Sequence, residues 1–92
     1  MTQCEDMAAF FKALGHPTRM RIVKELLDGR RCVGDIEVCL DLTQTNTSQH
    51  LHVLRSNGIV DCLKEGNTRC YHLSDPERIR SILSMVEDRK EM

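Results

Sequence analysis

The chain has 92 residues, with 13 Lys and Arg against 14 Asp and Glu and a formal net charge of −1 with histidine neutral. That length accommodates one domain, spanning 1–92, and a mix of 40% hydrophobic and 29% charged residues excludes a disordered tail. No apolar run approaches a membrane span and no basic stretch leads into an apolar core, so the expectation is a cytoplasmic protein with no membrane partner.

Met7, Phe10, Phe11 and Leu14 recur at i, i+3, i+4, i+7 and predict an amphipathic helix over 5–15, stopping near Gly15. Pro17 suits a first helical position, and Met20, Ile22, Val23, Leu26 and Leu27 carry a second helix to Asp28-Gly29. A short third helix is predicted from about Gly34 to Leu40, with Ile36, Cys39 and Leu40 on its apolar side. Thr43 caps a fourth, which runs through Leu51 and Leu54 to Asn57-Gly58. The period then changes. Ile59–Leu63 and Thr68–Leu73 are β-prone segments joined by a turn at Glu65-Gly66-Asn67. Ser74 and Glu77 form a capping box around Pro76 and open a last helix over 75–90, on which Ile79, Ile82, Leu83 and Val86 repeat the helical spacing. Two helices joined by a tight connection and followed by a hairpin describe a mainly α winged helix-turn-helix, about five helices plus a β-hairpin wing.

Resolved by segment, the near-neutral total becomes informative. From Leu42 to Val60 the only formal charge is Arg55, while short hydrogen-bonding side chains crowd the fourth helix. A solvent-facing helix normally carries charge; a polar, uncharged one suits a partner that is itself polar and densely charged. With Leu51 and Leu54 turned to the core, Gln44, Thr45, Ser48 and Gln49 occupy the opposite face, and Asn46, His52 and Arg55 complete the candidate DNA-reading set. Glutamine and asparagine pair with base edges, and hydroxyls serve bases or phosphates. The helix N-terminus presents N–H groups and positive potential to phosphate. Lys64 and Arg69 flank the hairpin tip, in reach of the DNA backbone. No nucleophile–base arrangement or phosphate-cradling glycine loop points to an enzyme.

From Phe10 to Leu73 the chain resembles the ArsR/SmtB family of metal- and thiol-responsive transcriptional repressors. The resemblance rests on Phe11-Lys12-Ala13-Leu14-Gly15-His16-Pro17-Thr18-Arg19-Met20-Arg21-Ile22, on Val33-Gly34-Asp35-Ile36, on Thr43 through Leu51, on Leu54 through Val60, and on the wing Lys64-Glu65-Gly66-Asn67-Thr68-Arg69. It implies a homodimer built from the first and last helices, bound to double-stranded operator DNA with inverted-repeat symmetry. The apolar stripes agree with that, and Met7, Phe10, Phe11, Ile79, Ile82, Leu83 and Val86 are the expected interface. It also implies release from DNA by an inducer, whether a metal, a metalloid or reactive sulfur.

The family's common zinc site on the last helix begins Asp-x-His, and here Asp75-Pro76-Glu77 has no histidine. Arsenic-sensing members carry three cysteines at the head of the third helix. Cys32-Val33-Gly34-Asp35-Ile36-Glu37 keeps the first alone. The five cysteines, at 4, 32, 39, 62 and 70, read as thiols because their number is odd and the chain looks cytosolic. Cys32, beside a helix start and next to Arg30 and Arg31, is the first choice for a reactive or metal-binding thiol. Cys4 and Cys39 are candidates to complete its site, though Cys39 also matches a buried packing position. Cys62 and Cys70 form a second candidate pair: a three-residue hairpin loop makes them face each other, and a two-residue loop puts them on opposite faces. As(III) or another thiophilic ion is the expected inducer, with thiol oxidation or persulfidation beside it. The competing reading is a constitutive winged-helix module, binding DNA or protein with unreactive cysteines.

Overall fold

A computed structural model describes residues 2–90, without the side chains of 88–90. Its elements are α1 (Gln3–Leu14), α2 (Pro17–Leu26), β1 (Arg31–Cys32), α3 (Val33–Leu40), α4 (Gln44–Ser56), β2 (Val60–Glu65), β3 (Thr68–Leu73) and α5 (Pro76–Lys90). The strands form one antiparallel sheet in the order β1-β3-β2. This is a winged helix-turn-helix, with α3 and α4 as the helix pair and β2–β3 as the wing. No helix among the described residues is long and apolar enough to cross a membrane.

Helix boundaries follow local chemistry. Thr2 and Thr43 cap α1 and α4, each hydroxyl accepting a backbone N–H at 3.1 Å, from Glu5 and Asn46 respectively. His16 does the same for α2: its Nδ1 accepts the Thr18 N–H at 3.1 Å, and Pro17 occupies the first turn. At the end of α3, Asp41 takes a left-handed φ of 54°. The Leu42 N–H then reaches back to Glu37 O at 3.0 Å, closing the last turn before α4. The α5 cap differs from the expected one. Asp75 accepts the Arg78 N–H at 3.1 Å. Ser74 lies one residue too early, and its own N–H is held by Ile59 O at 3.0 Å, at the end of the sheet.

The core gathers Ile22, Val23 and Leu26 of α2 with Ile36 and Leu40 of α3, Leu51 and Leu54 of α4, and Ile59, Val60, Tyr71 and Leu73 from the wing. Ile79 and Leu83 of α5 join it at 2% and 8% exposure. That corrects their assignment to a dimer interface: the helical repeat on α5 marks an apolar face, and half of that face covers the chain's own core. Cys39 is corrected in the opposite sense, because it is exposed on α3 while Ile36 and Leu40 point inward.

One polar side chain of α4 is wholly buried. Thr47 donates its hydroxyl to Thr43 O at 2.8 Å, anchoring the first turn of the helix to its cap. Thr43 O also accepts the Thr47 N–H at 3.0 Å, so Thr47→Val leaves no acceptor orphaned. The substitution is expected to cost about 1 kcal/mol in urea denaturation, the net value of one hydrogen bond, and Thr47→Ala more because it also opens a void.

Candidate nucleic-acid interface

The caps and core contacts of α4 determine which of its residues face outward. Thr47, Leu51 and Leu54 are buried, whereas Gln44, Thr45, Asn46, Ser48, Gln49, His52 and Arg55 are exposed. Gln44, Ser48, His52 and Arg55 fall at successive turns, and they form one wall of a cleft of about 410 Å³ whose other wall includes Asn67, Thr68, Arg69 and Tyr71 of the wing. Thr45, Asn46 and Gln49 lie on the same helix outside that cleft. Asn67, Thr68 and Tyr71 were not singled out from the sequence. They arrive through the hairpin, which no helical or strand period connects to α4.

The hairpin register is decided by its loop. Glu65 pairs with Thr68, leaving Gly66-Asn67 as a two-residue turn, and Gly66 supplies the left-handed φ of 61° required there. Lys64 is therefore directly opposite Arg69. Two cations across an antiparallel pair repel each other. Among the described residues neither Lys64, Arg69 nor Arg55 has an ion-pair partner, while Arg30 is paired with Glu65 and Arg31 with Glu25. These three unpaired cations sit at the cleft and on the wing, where an external polyanion relieves the repulsion.

Two titrating groups lie on α4 and the wing. His50 on α4 packs against His16, with ring centroids 4.7 Å apart and ring planes tilted by 44°. Burial, then the nearby His16 and Arg19, push its pKa below the usual 6.5, so the helix stays charge-poor at neutral pH. Burial, then the neighbouring Cys62, push the Tyr71 hydroxyl above its ordinary value against the opposing pull of Arg69, so the phenol remains a neutral donor in the cleft.

The cysteines group differently from either expected set. With a two-residue loop, Cys62 lies opposite Tyr71 and Leu63 opposite Cys70, so Cys62 and Cys70 are on opposite faces of the ribbon. Cys70 instead meets Cys32 across β1–β3, and the two form a disulfide. Cys32 is the N-cap residue of α3 but makes no side-chain cap bond. The reading of all five as thiols is corrected for this pair; Cys4, Cys39 and Cys62 keep their thiols. Cys4 and Cys39 are not drawn in with Cys32, whose neighbouring donors are Cys70 and Glu65. β1 is two residues long and carries no strand period, so the sequence pattern does not mark this pairing.

α1 and α5 flank a second groove of about 370 Å³, lined by Met7, Phe10, Phe11 and Ile82 together with Gln3, Asp6, Asn57 and Arg78. Met7, Phe11 and Val86 are 53%, 52% and 64% exposed, and Phe10 meets Phe11 edge-on at 5.3 Å. Exposed apolar side chains along a groove, Met7 and Phe11 among them, are the kind of surface that a partner can cover.

Comparison with known proteins agrees with this geometry. Residues 16–61 match the family model described as bacterial regulatory protein, arsR family. An HTH-type transcriptional regulator of Methanocaldococcus jannaschii is 38% identical over 89 residues, covering 96% of this chain and 99% of the relative. The biofilm growth-associated repressor of Agrobacterium fabrum is 38% identical over 77 residues, 84% of this chain and 66% of that protein. Among solved structures, the homodimeric winged helix-turn-helix DNA-binding domain of a possible ArsR-family regulator from Mycobacterium bovis superposes with a TM-score of 0.85 at 27% identity, over 95% of this chain and 82% of that one.

Proposed function

Because the chain belongs to the arsR family of bacterial regulatory proteins, a family of DNA-binding transcriptional regulators, we propose that it is a homodimeric repressor. It holds an inverted-repeat operator and releases it when cysteine thiols bind a soft metal or metalloid or are oxidised. The observation that carries the DNA reading is the cleft between α4 and the wing. One wall presents Gln44, Ser48 and His52 to base edges. Arg55, Lys64 and Arg69 supply cations without ion-pair partners among the described residues, placed for phosphate. Thr45, Asn46 and Gln49 extend the reading surface along the same helix. A relative named as a repressor supports that sign of control, and the α1/α5 groove supports a dimer in which Met7, Phe10, Phe11, Ile82 and Val86 meet a second copy.

The backbone contacts have a simple signature. Lys64→Ala and Arg69→Ala are each expected to weaken binding to all duplexes alike and to reduce the slope of log K against log salt by about one. The proposal as a whole is tested by measuring operator affinity of the reduced protein before and after arsenite, cadmium or a persulfide donor. Loss of affinity with at least one of them is expected. Unchanged affinity with all three assigns the chain to constitutive binding instead.

A further inference from the structure

The disulfide lies at the root of the wing, where three potential ligands converge. The sulfurs of Cys32 and Cys70 and a carboxylate oxygen of Glu65 all lie within 4.8 Å of one another. Glu65 Oε2 is 3.7 Å from Cys70 Sγ. Bonded to Cys32, that sulfur has no proton to donate, so the approach is a contact and not a hydrogen bond. Cys70 is fully buried, Cys32 half-buried and Glu65 exposed. The cluster is therefore anchored in the core on one side and open to solvent on the other. Cys4, Cys39 and Cys62 stand apart from it.

We propose that, with the bond reduced, Cys32, Cys70 and Glu65 form a site for one thiophilic divalent cation, such as Cd(II) or Zn(II), and that the ion and the disulfide are alternative occupants of the same two sulfurs. Two thiolates bound to one tetrahedral zinc lie about 3.8 Å apart, given metal–sulfur bonds of about 2.3 Å. Side chains directly opposed in an antiparallel pair meet that spacing, since their Cβ atoms are about 5 Å apart. Glu65 supplies a third donor and water the fourth.

The two states exclude each other chemically. In forming the Sγ–Sγ bond, two thiols give up two electrons and two protons to a low-molecular-weight disulfide, whose own S–S bond breaks to yield two thiols. The electron pairs needed to hold a cation as two thiolates are then no longer present. Both states tie β1 to β3, but they differ at Glu65. In the disulfide form it is paired with Arg30; in the ion-bound form it is a ligand, and Arg30 is released beside the wing. This deepens the proposal that cysteines carry the response and rests on it only for the effect on DNA.

The test is titration of the fully reduced, metal-free protein with cadmium alone, read by the thiolate-to-cadmium charge-transfer absorption. One Cd(II) per chain is expected. Cys32→Ser and Cys70→Ser abolish the band, Glu65→Gln weakens binding about tenfold, and the oxidised protein shows no band until a reductant restores two thiols. A Cys4→Ser/Cys39→Ser/Cys62→Ser triple variant, which keeps the cluster intact and reports on folding by circular dichroism, retains the full band. A reduced wild-type protein without the band, a band that survives Cys32→Ser or Cys70→Ser, unchanged affinity in Glu65→Gln, or loss of the band in the triple variant would each overturn the site. Operator affinity measured in the same titration separates the two proposals. A full band with unchanged DNA binding upholds the site and removes it from the control of repression.

Discussion

Gln44→Ala and Ser48→Ala are each expected to lower affinity for the specific operator by about 5- to 150-fold, the value of about 1–3 kcal/mol for a good base contact, while leaving non-specific duplex binding within twofold. Both side chains are exposed on the first two turns of α4, and both face the cleft shared with the wing. Neither contributes to the core, and alanine is the better helix former, so the folded chain is not weakened. The cap that starts the helix belongs to Thr43 and is untouched. Any loss of operator affinity therefore reports the interface and not the fold. Titration of each variant against operator and scrambled duplexes at one salt concentration separates the contributions. Equal losses on both duplexes would contradict base reading by these positions and leave α4 as a backbone-contacting helix.

The second large effect concerns the α1/α5 groove. Phe11→Glu is expected to convert a dimer at micromolar concentration into a monomer and to lower operator affinity by at least about 100-fold. Phe11 is 52% exposed in the chain by itself and packs edge-on against Phe10 beside the α1/α5 groove. Removing it costs the chain's own core little. In a two-fold interface each copy would bring its new carboxylate into the apolar contact, a desolvation cost with no partner to offset it. With the two recognition helices uncoupled, the second half-site no longer binds at the high effective concentration that linkage provides, generally worth 10²- to 10⁴-fold. Sedimentation equilibrium of wild-type and variant protein checks the first part, and operator titration the second. A wild-type chain that sediments as a monomer, or a variant that stays dimeric, would contradict the assignment of this groove.

The readable and unreadable parts of the chain divide along physical lines. α1, α2, α4 and α5 were legible because each spaces its apolar residues at 3.6-residue intervals and begins or ends at residues with a specific backbone role, such as Thr43 and Pro17. The polar face of α4 was legible because an uncharged solvent face is unusual, and the structure exposes the residues singled out there. What escaped reading depends on pairing at a distance. The two-residue β1 has no period of its own and exists only through β3. The choice between Cys62 and Cys32 as the neighbour of Cys70 turned on one residue of hairpin register and on that unseen strand. Ile79 and Leu83 share a helical stripe with Ile82 and Val86, and periodicity alone does not divide such a stripe between the chain's own core and a second copy. Cys39 follows the apolar spacing of α3, but the helix turns only Ile36 and Leu40 fully inward.

The DNA-reading assignment and the dimer assignment meet in one prediction about DNA symmetry. Selection of bound duplexes from a random pool by the reduced protein, followed by measurement of protein-to-DNA stoichiometry, tests them together. The expected product is an inverted repeat whose half-site centres are separated by about one helical turn, 10–10.5 base pairs, or a multiple of it, bound by two chains. Enrichment of a site without two-fold symmetry, occupied by a single chain, would contradict the account.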